Sequence, residues 1–325
     1  MSDRISGPQL VGALAVSALF LGGLIWWAEP AEIWSALSTA RLGPLAAAAG
    51  CYLVVLVARW VRLIGLVDGE TLSSHRLELL WTSAGHSFAN QLMPARTGEF
   101  VFPALWHRAT GEGYAQGAIY LAAIRVVELG LVISMFGVGL MVWWSGGWAV
   151  ALIGVGLLAA LPLLLRLGLR LLSWAFCDTW LSEVGWLEPL RDGVPNARSA
   201  MEGLGRGRRL WLVVTSAFMW VAMFGVFWWC LAACGLELGV AQTVVGSTGG
   251  IVGNLVPVGT IGSLGAMEAG WTAGFRATGA PAGPVVAASL LVRALVFLGT
   301  GLVTALAVII DGLKLNFIFT KSGRG

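Results

Sequence analysis

Residues 87–100 read SFANQLMPARTGEF, and residues 249–270 read GGIVGNLVPVGTIGSLGAMEAG. Each stretch sets an Asn about one turn ahead of a Pro, then a Gly, then a Glu. The first has Asn90, Pro94, Gly98 and Glu99; the second has Asn254, Pro257, Gly265 and Glu268. An Arg follows each Glu at nearly the same interval, Arg125 after 26 residues and Arg293 after 25. Helix breakers, a carboxylate and a guanidinium thus enter otherwise apolar sequence twice. Paired, broken apolar segments in the two halves of a membrane protein point to a substrate site near the bilayer midplane.

Composition places the chain in a membrane. Of 325 residues, 58% are hydrophobic and 11% charged, with a mean hydropathy of +0.83. A soluble domain carries about 25% charged residues. The net charge of +3 comes without a basic run, which argues against nucleic acid as a partner. The 17 Trp suit a membrane protein, because indole rings settle at the water interface. Cys51, Cys177, Cys230 and Cys234 read as small buried hydrophobes. Together with His75, His86 and His107 they lack metal-site spacing, so neither metal nor organic cofactor is expected.

Hydropathy gives six full spans, at about 10–28, 43–66, 114–142, 148–172, 209–234 and 284–311. The first is too long for a signal peptide and lacks a small-residue cleavage pattern, so it reads as a retained helix. Residues 77–110 and 240–279 resist a single-span reading. The former contains Pro94, Arg96, Gly98, Glu99 and Pro103; the latter contains Pro257 and most of eleven Gly between 246 and 283. Each is long enough for two short helices around a break, a re-entrant hairpin. Broken backbone at membrane depth is tolerated only against protein or a watery cavity.

Charge sets the topology. With the N-terminus in the cytoplasm, the inside segments carry Arg4, then Arg59, Arg62, Arg76 and Arg108, then the Arg-rich stretch from Arg166 to Arg209, then Lys314, Lys321 and Arg324. The outside segments carry Arg41 and Arg276. This is a positive-inside bias. Three spans between the hairpins make them enter from opposite faces, which is an inverted repeat. The expected fold is therefore an all-α polytopic membrane protein of six transmembrane helices plus two opposed re-entrant hairpins, with both termini cytoplasmic. It forms one integral domain over residues 1–325: half 1 at about 43–142, half 2 at about 209–311, and an amphipathic cytoplasmic connector at 173–208. The expected location is the cytoplasmic (inner) membrane of a bacterium or archaeon.

Ionisable groups inside apolar sequence are paired or face water. Glu99, Arg125, Glu128, Glu268 and Arg293 are such groups, and Arg125 and Glu128 share a helix face. Arg offers a fork of donors to phosphate, and the half-helices begun at the breaks Pro94–Gly98 and Pro257–Gly262–Gly265 present N–H groups that favour anions. Arg96, Glu99, Arg125, Glu128, Glu268, Arg293, Asn90 and Asn254 are accordingly candidate contacts to a phosphate-bearing headgroup. Arg125 and Arg293 are expected to approach near the midplane and border a polar cavity open to one leaflet. The plainer alternative is that Glu99–Arg125 and Glu268–Arg293 are internal ion pairs pinning each hairpin, with Asn90 and Asn254 bonded to the broken backbone. Both can hold at once.

The run NQLMPARTGEF…LWHRATG, then IRVVE, then GNLVP…GSLGAMEAG resembles the transmembrane region of lysylphosphatidylglycerol synthases and their stand-alone, flippase-like relatives, over about residues 10–312. Typical members carry Pro-x-Pro-Gly-Gly-x-Gly in the second motif, where this chain has PVGTIGSLG at 257–265. The resemblance implies lipid translocation between leaflets by a member without the aminoacyl-transferase domain. Membrane lipids are the implied partners, and a homo-oligomer or a separate lipid-modifying enzyme is compatible with it. Two other classes fit the residues: a membrane-embedded lipid phosphatase acting on a polyprenyl diphosphate, with Glu99, Ser87, His86 and Arg125 as its candidates, and an ion-coupled small-solute transporter.

Overall fold

The computed structural model describes residues 22, 29–67, 69–93, 97–145, 203, 205–255 and 264–310. The expected spans at 10–28 and 148–172, nearly all of the connector, and Pro94, Arg96, Pro257 and Gly262 lie outside the described residues. Those described are helical, without strand. In chain order the α-helices are α1 (Pro30–Ser38), α2 (Leu42–Ile64), α3 (Gly69–Leu92), α4 (Val101–Thr110), α5 (Tyr114–Ser145), α6 (Arg206–Ala233), α7 (Val240–Leu255), α8 (Ala266–Ala277) and α9 (Ala282–Ile310). A 3-10 turn, Thr97–Phe100, precedes α4.

Among the described residues, four helices are long and apolar enough to cross a membrane: Leu42–Ile64, Tyr114–Trp144, Arg206–Ala233 and Ala282–Ile310. Their outer faces are bare hydrocarbon, with Leu53, Val57, Phe218, Val221, Leu302 and Ile309 all exposed. Side chains of this kind point outward where lipid rather than water is the solvent. The chain is a multi-pass membrane protein.

Each broken region contains two helices among the described residues. In the second they are α7 and α8. The first begins earlier than residue 77, because α3 reaches back to Gly69. His75, at φ −124° and ψ 17°, leaves helical geometry there and kinks the arm. Helix α1 was not foreseen, although Pro30 in its first turn and Glu32 just after are ordinary helix-start signals.

The packing repeats. Helix α2 leads into the first hairpin (α3 and α4) and then α5; α6 leads into the second (α7 and α8) and then α9. Each hairpin's second arm packs on the span that follows it, α4 on α5 and α8 on α9. Each hairpin's first arm packs on the closing span of the other half, α3 on α9 and α7 on α5. The opening spans α2 and α6 pack extensively along each other. They run in opposite directions. At one end the Arg41 amide donates to Ala233 O at 3.0 Å, and its Nη2 to Ala232 O at 2.7 Å. At the other end Trp211 Nε1 donates to Val61 O at 3.1 Å. Equivalent spans running antiparallel are what an inverted repeat requires.

The core divides along the same lines. One cluster holds the first hairpin to α5 through Phe102, Trp106, Tyr120, Ile124 and Val127. The other joins α2, α6, α8 and α9 through Tyr52, Phe227, Trp271, Phe275 and Val286. The second hairpin closes on glycine. A Cβ on Gly249 would lie 2.2 Å from Gly270 O, and one on Gly274 2.2 Å from Gly246 O. Small residues at these positions let two helix backbones touch, as in tight transmembrane pairs. The glycine-rich composition of 246–274 thus serves a helix–helix seam as well as the break.

Candidate functional site

The break after α3 is shaped by Gly98. A Cβ there would lie 2.5 Å from the Asn90 backbone nitrogen and from Asn90 Oδ1, so the returning chain presses directly on the last turns of α3. That contact delivers Glu99 to α5 and α3 together. Glu99 Oε1 accepts from Arg125 Nη2 at 2.7 Å, and from Asn90 Nδ2 at 3.3 Å. Glu99 Oε2 lies 3.3 Å from His86 Nε2, which is also 3.0 Å from Asn90 Nδ2. The edge of the His86 ring meets Phe102. Asn90 therefore braces the carboxylate and the histidine.

Arg125 bridges onward. Its Nη1 donates to Glu128 Oε2 at 2.5 Å, one helical turn away. Glu128, itself buried, accepts on Oε1 from Arg62 Nη1 at 2.6 Å. Arg62 lies on α2 with 6% of its surface exposed and also donates to Ser216 Oγ on α6 at 3.2 Å. The charges thus form a chain from α2 through α5 to the hairpin break. Within it the Arg125 side chain keeps 38% of its surface exposed, against 22% for Glu99 and 9% for Glu128. Arg125 is the end of the network that a ligand reaches most easily.

Arg59 belongs to this region too. Its Nη1 donates to Ser87 Oγ on α3 at 3.0 Å, and its Nε approaches Met219 Sδ on α6 at 3.5 Å. Ser87 in turn donates to Ser83 O at 2.9 Å. The sequence reading counted Arg59 and Arg62 among cytoplasmic-segment charges. Both sit on α2 and turn inward among the helices. The signal was available, because residues 48, 52, 55, 59 and 62 recur at steps of four and three, the stripe a helix buries.

The second site is smaller and drier. Glu268 is fully buried and its Oε1 accepts from Arg293 Nε on α9. Its Oε2 accepts from the Gly265 amide at 2.7 Å, capping α8. Gly265 takes φ +89°, which a glycine adopts without strain. The expected anion-favouring N-terminus of α8 is therefore served by the chain's own carboxylate. Arg293 Nη2 also lies 3.6 Å from Met267 Sδ. Asn254 is half-buried in the last turns of α7.

Both expected Glu–Arg pairs form. Gln91 Nε2, beside Asn90, donates to Thr300 Oγ1 at 3.0 Å. Arg293 lies seven residues before Thr300, about 10 Å along the helix. A cavity of about 110 Å³ among the described residues lies between α3, α4 and α9, lined by Trp81, Thr82, Leu105, Arg108, Thr304 and Ala307 among others, and neither Arg125 nor Arg293 borders it.

A family model described as the lysylphosphatidylglycerol synthase transmembrane region matches residues 10–304. No curated protein and no solved structure matches the chain.

Proposed function

Since the chain belongs to the family of the lysylphosphatidylglycerol synthase transmembrane region, we propose that it moves a phosphate-bearing lipid between membrane leaflets. The substrate class is a phospholipid derivative or a polyprenyl-type lipid phosphate. The observation that carries this reading is the two-fold Glu–Arg arrangement at the hairpin breaks, Glu99 with Arg125 and Glu268 with Arg293, on antiparallel repeat halves. In the proposed membrane arrangement the hairpins enter from opposite faces of a bacterial or archaeal inner membrane, with the termini cytoplasmic. Arg125 offers its exposed side to the headgroup phosphate, while the acyl or prenyl chains stay in lipid. Glu99 and Glu128 keep the guanidinium placed between substrate visits. Alternating access is the rocking of one half against the other around this site.

The same residues favour transport over phosphate-ester hydrolysis. A nucleophilic Ser87 needs a base on its hydroxyl. That hydroxyl instead donates to a main-chain carbonyl and accepts from Arg59, while His86 is turned to Glu99 and Asn90. A lipid-modifying enzyme that supplies the substrate is the natural partner, and a homo-oligomer is compatible with the lipid-facing spans. The test is reconstitution into liposomes holding fluorescent phosphatidylglycerol and a polyprenyl diphosphate, with leaflet exchange read by chemical quenching and phosphate release measured in parallel. Exchange without phosphate release supports the proposal. Phosphate release from a lipid diphosphate without exchange overturns it.

A further inference from the structure

Resting on this transport reading, we propose that Arg59 is a ligand to the lipid phosphodiester, holding it beside the Arg125 network. Among the described residues, three guanidinium groups (Arg59, Arg62 and Arg125) meet only two carboxylates, Glu99 and Glu128. Arg62 and Arg125 take both carboxylates between them. Arg59 forms no ion pair among the described residues. Its contacts are a hydroxyl and a thioether. Its remaining nitrogen, Nη2, has no acceptor among them.

A guanidinium inside a membrane protein is costly without a counter-charge. Long cations near a helix end escape that cost by reaching for the interface. Arg59 stands five residues from the end of α2, close enough to do so, yet it reaches sideways, between Ser87 of the first hairpin and Met219 of α6. Both contacts hold the planar fork without neutralising it. The group is close enough to Glu128 to feel its charge, so it belongs to the same electrostatic unit as Arg125. With His86 neutral, that unit carries one surplus positive charge among the described residues. A phosphodiester carries one negative charge, and Arg is the side chain whose fork fits phosphate oxygens. Inorganic phosphate shares this chemistry, but the apolar faces of α2 and α6 favour a lipid-borne phosphate.

The test uses the purified full-length protein in detergent. Dioctanoyl phosphatidylglycerol, dioctanoylglycerol and inorganic phosphate are titrated in turn, with binding read by calorimetry, into wild type and Arg59→Gln. The expected result is a loss of phosphatidylglycerol affinity of at least about tenfold in the variant, about 1.4 kcal/mol, with dioctanoylglycerol unchanged. Should Arg59→Gln not be recovered folded, Ser87→Ala is read instead. It removes only the hydroxyl that holds the fork, and the expected loss is about threefold, in line with one net hydrogen bond. Phosphatidylglycerol affinity equal to wild type in the folded variant overturns the role of Arg59 and leaves the transport reading standing. An equal loss for dioctanoylglycerol also overturns it. Arg59-dependent binding of inorganic phosphate alone overturns the lipid assignment. A wild-type protein that binds no phosphatidylglycerol overturns this inference and the phospholipid form of the transport reading, and leaves its polyprenyl form standing.

Discussion

Arg62 Nη1 donates to Glu128 Oε1 at 2.6 Å, with both side chains under a tenth exposed. The bond ties α2, which opens the first half, to α5, which closes it. It also fixes the face of Glu128 that remains for Arg125.

Removing one partner leaves a buried charge alone. Arg62→Ala should therefore lower stability by about 3–5 kcal/mol. Replacing both partners by apolar groups removes the stranded charge, and Arg125 still keeps Glu99. The Arg62→Leu, Glu128→Leu double variant should accordingly recover most of the loss. Equilibrium unfolding in mixed micelles checks both. A double variant no more stable than Arg62→Ala argues that the bond does more than balance charge.

The second site should resist charge reversal. Glu268 serves Arg293 with one oxygen and the Gly265 amide with the other. An Arg at 268 has no acceptor for that amide. The Glu268→Arg, Arg293→Glu double variant should thus stay destabilised, by at least the 0.5–2 kcal/mol that a lost helix cap costs, roughly. Thermal unfolding of the single and double variants measures it. Full recovery in the double would show that the pair is a simple ion pair.

Glycine substitutions should separate by location. Gly249→Ala places a methyl group 2.2 Å from Gly270 O, against backbone that has no flexible end to yield. A loss of about 1–3 kcal/mol is expected, the usual cost of overpacking. Gly50, inside α2, has open space around it. Gly50→Ala should be neutral or stabilising by up to about 1 kcal/mol. The comparison needs only melting temperatures of the two variants. Equal effects would exclude the close seam.

Much of this arrangement was legible. Long apolar runs marked the spans, since a helix must stay apolar for about 20 residues to cross hydrocarbon. Gly98 and Gly265 marked the turns that carry Glu99 and Glu268, and the near-equal Glu-to-Arg intervals marked both pairs. The inward turn of Arg59 and Arg62 was not foreseen, because a count of positive charges near a span end says nothing about which way a side chain turns. Only the stripe through Tyr52 and Val55 does so. The role of Asn90 was hidden because its partners, His86 and Glu99, come together only when Gly98 lets the chain fold back. The contact between Gln91 and Thr300 joins residues 209 apart and has no local signal at all.

The central claim is lipid translocation through the paired Arg groups. The direct measurement is exchange of fluorescent phosphatidylglycerol between leaflets of proteoliposomes, normalised to monodisperse protein, for wild type and for the Arg125→Ala, Arg293→Ala double variant. Wild type is expected to exceed empty liposomes, and the double variant to fall to their level while some folded protein survives. Wild-type exchange no faster than in empty liposomes, or undiminished exchange by a well-folded double variant, would contradict it.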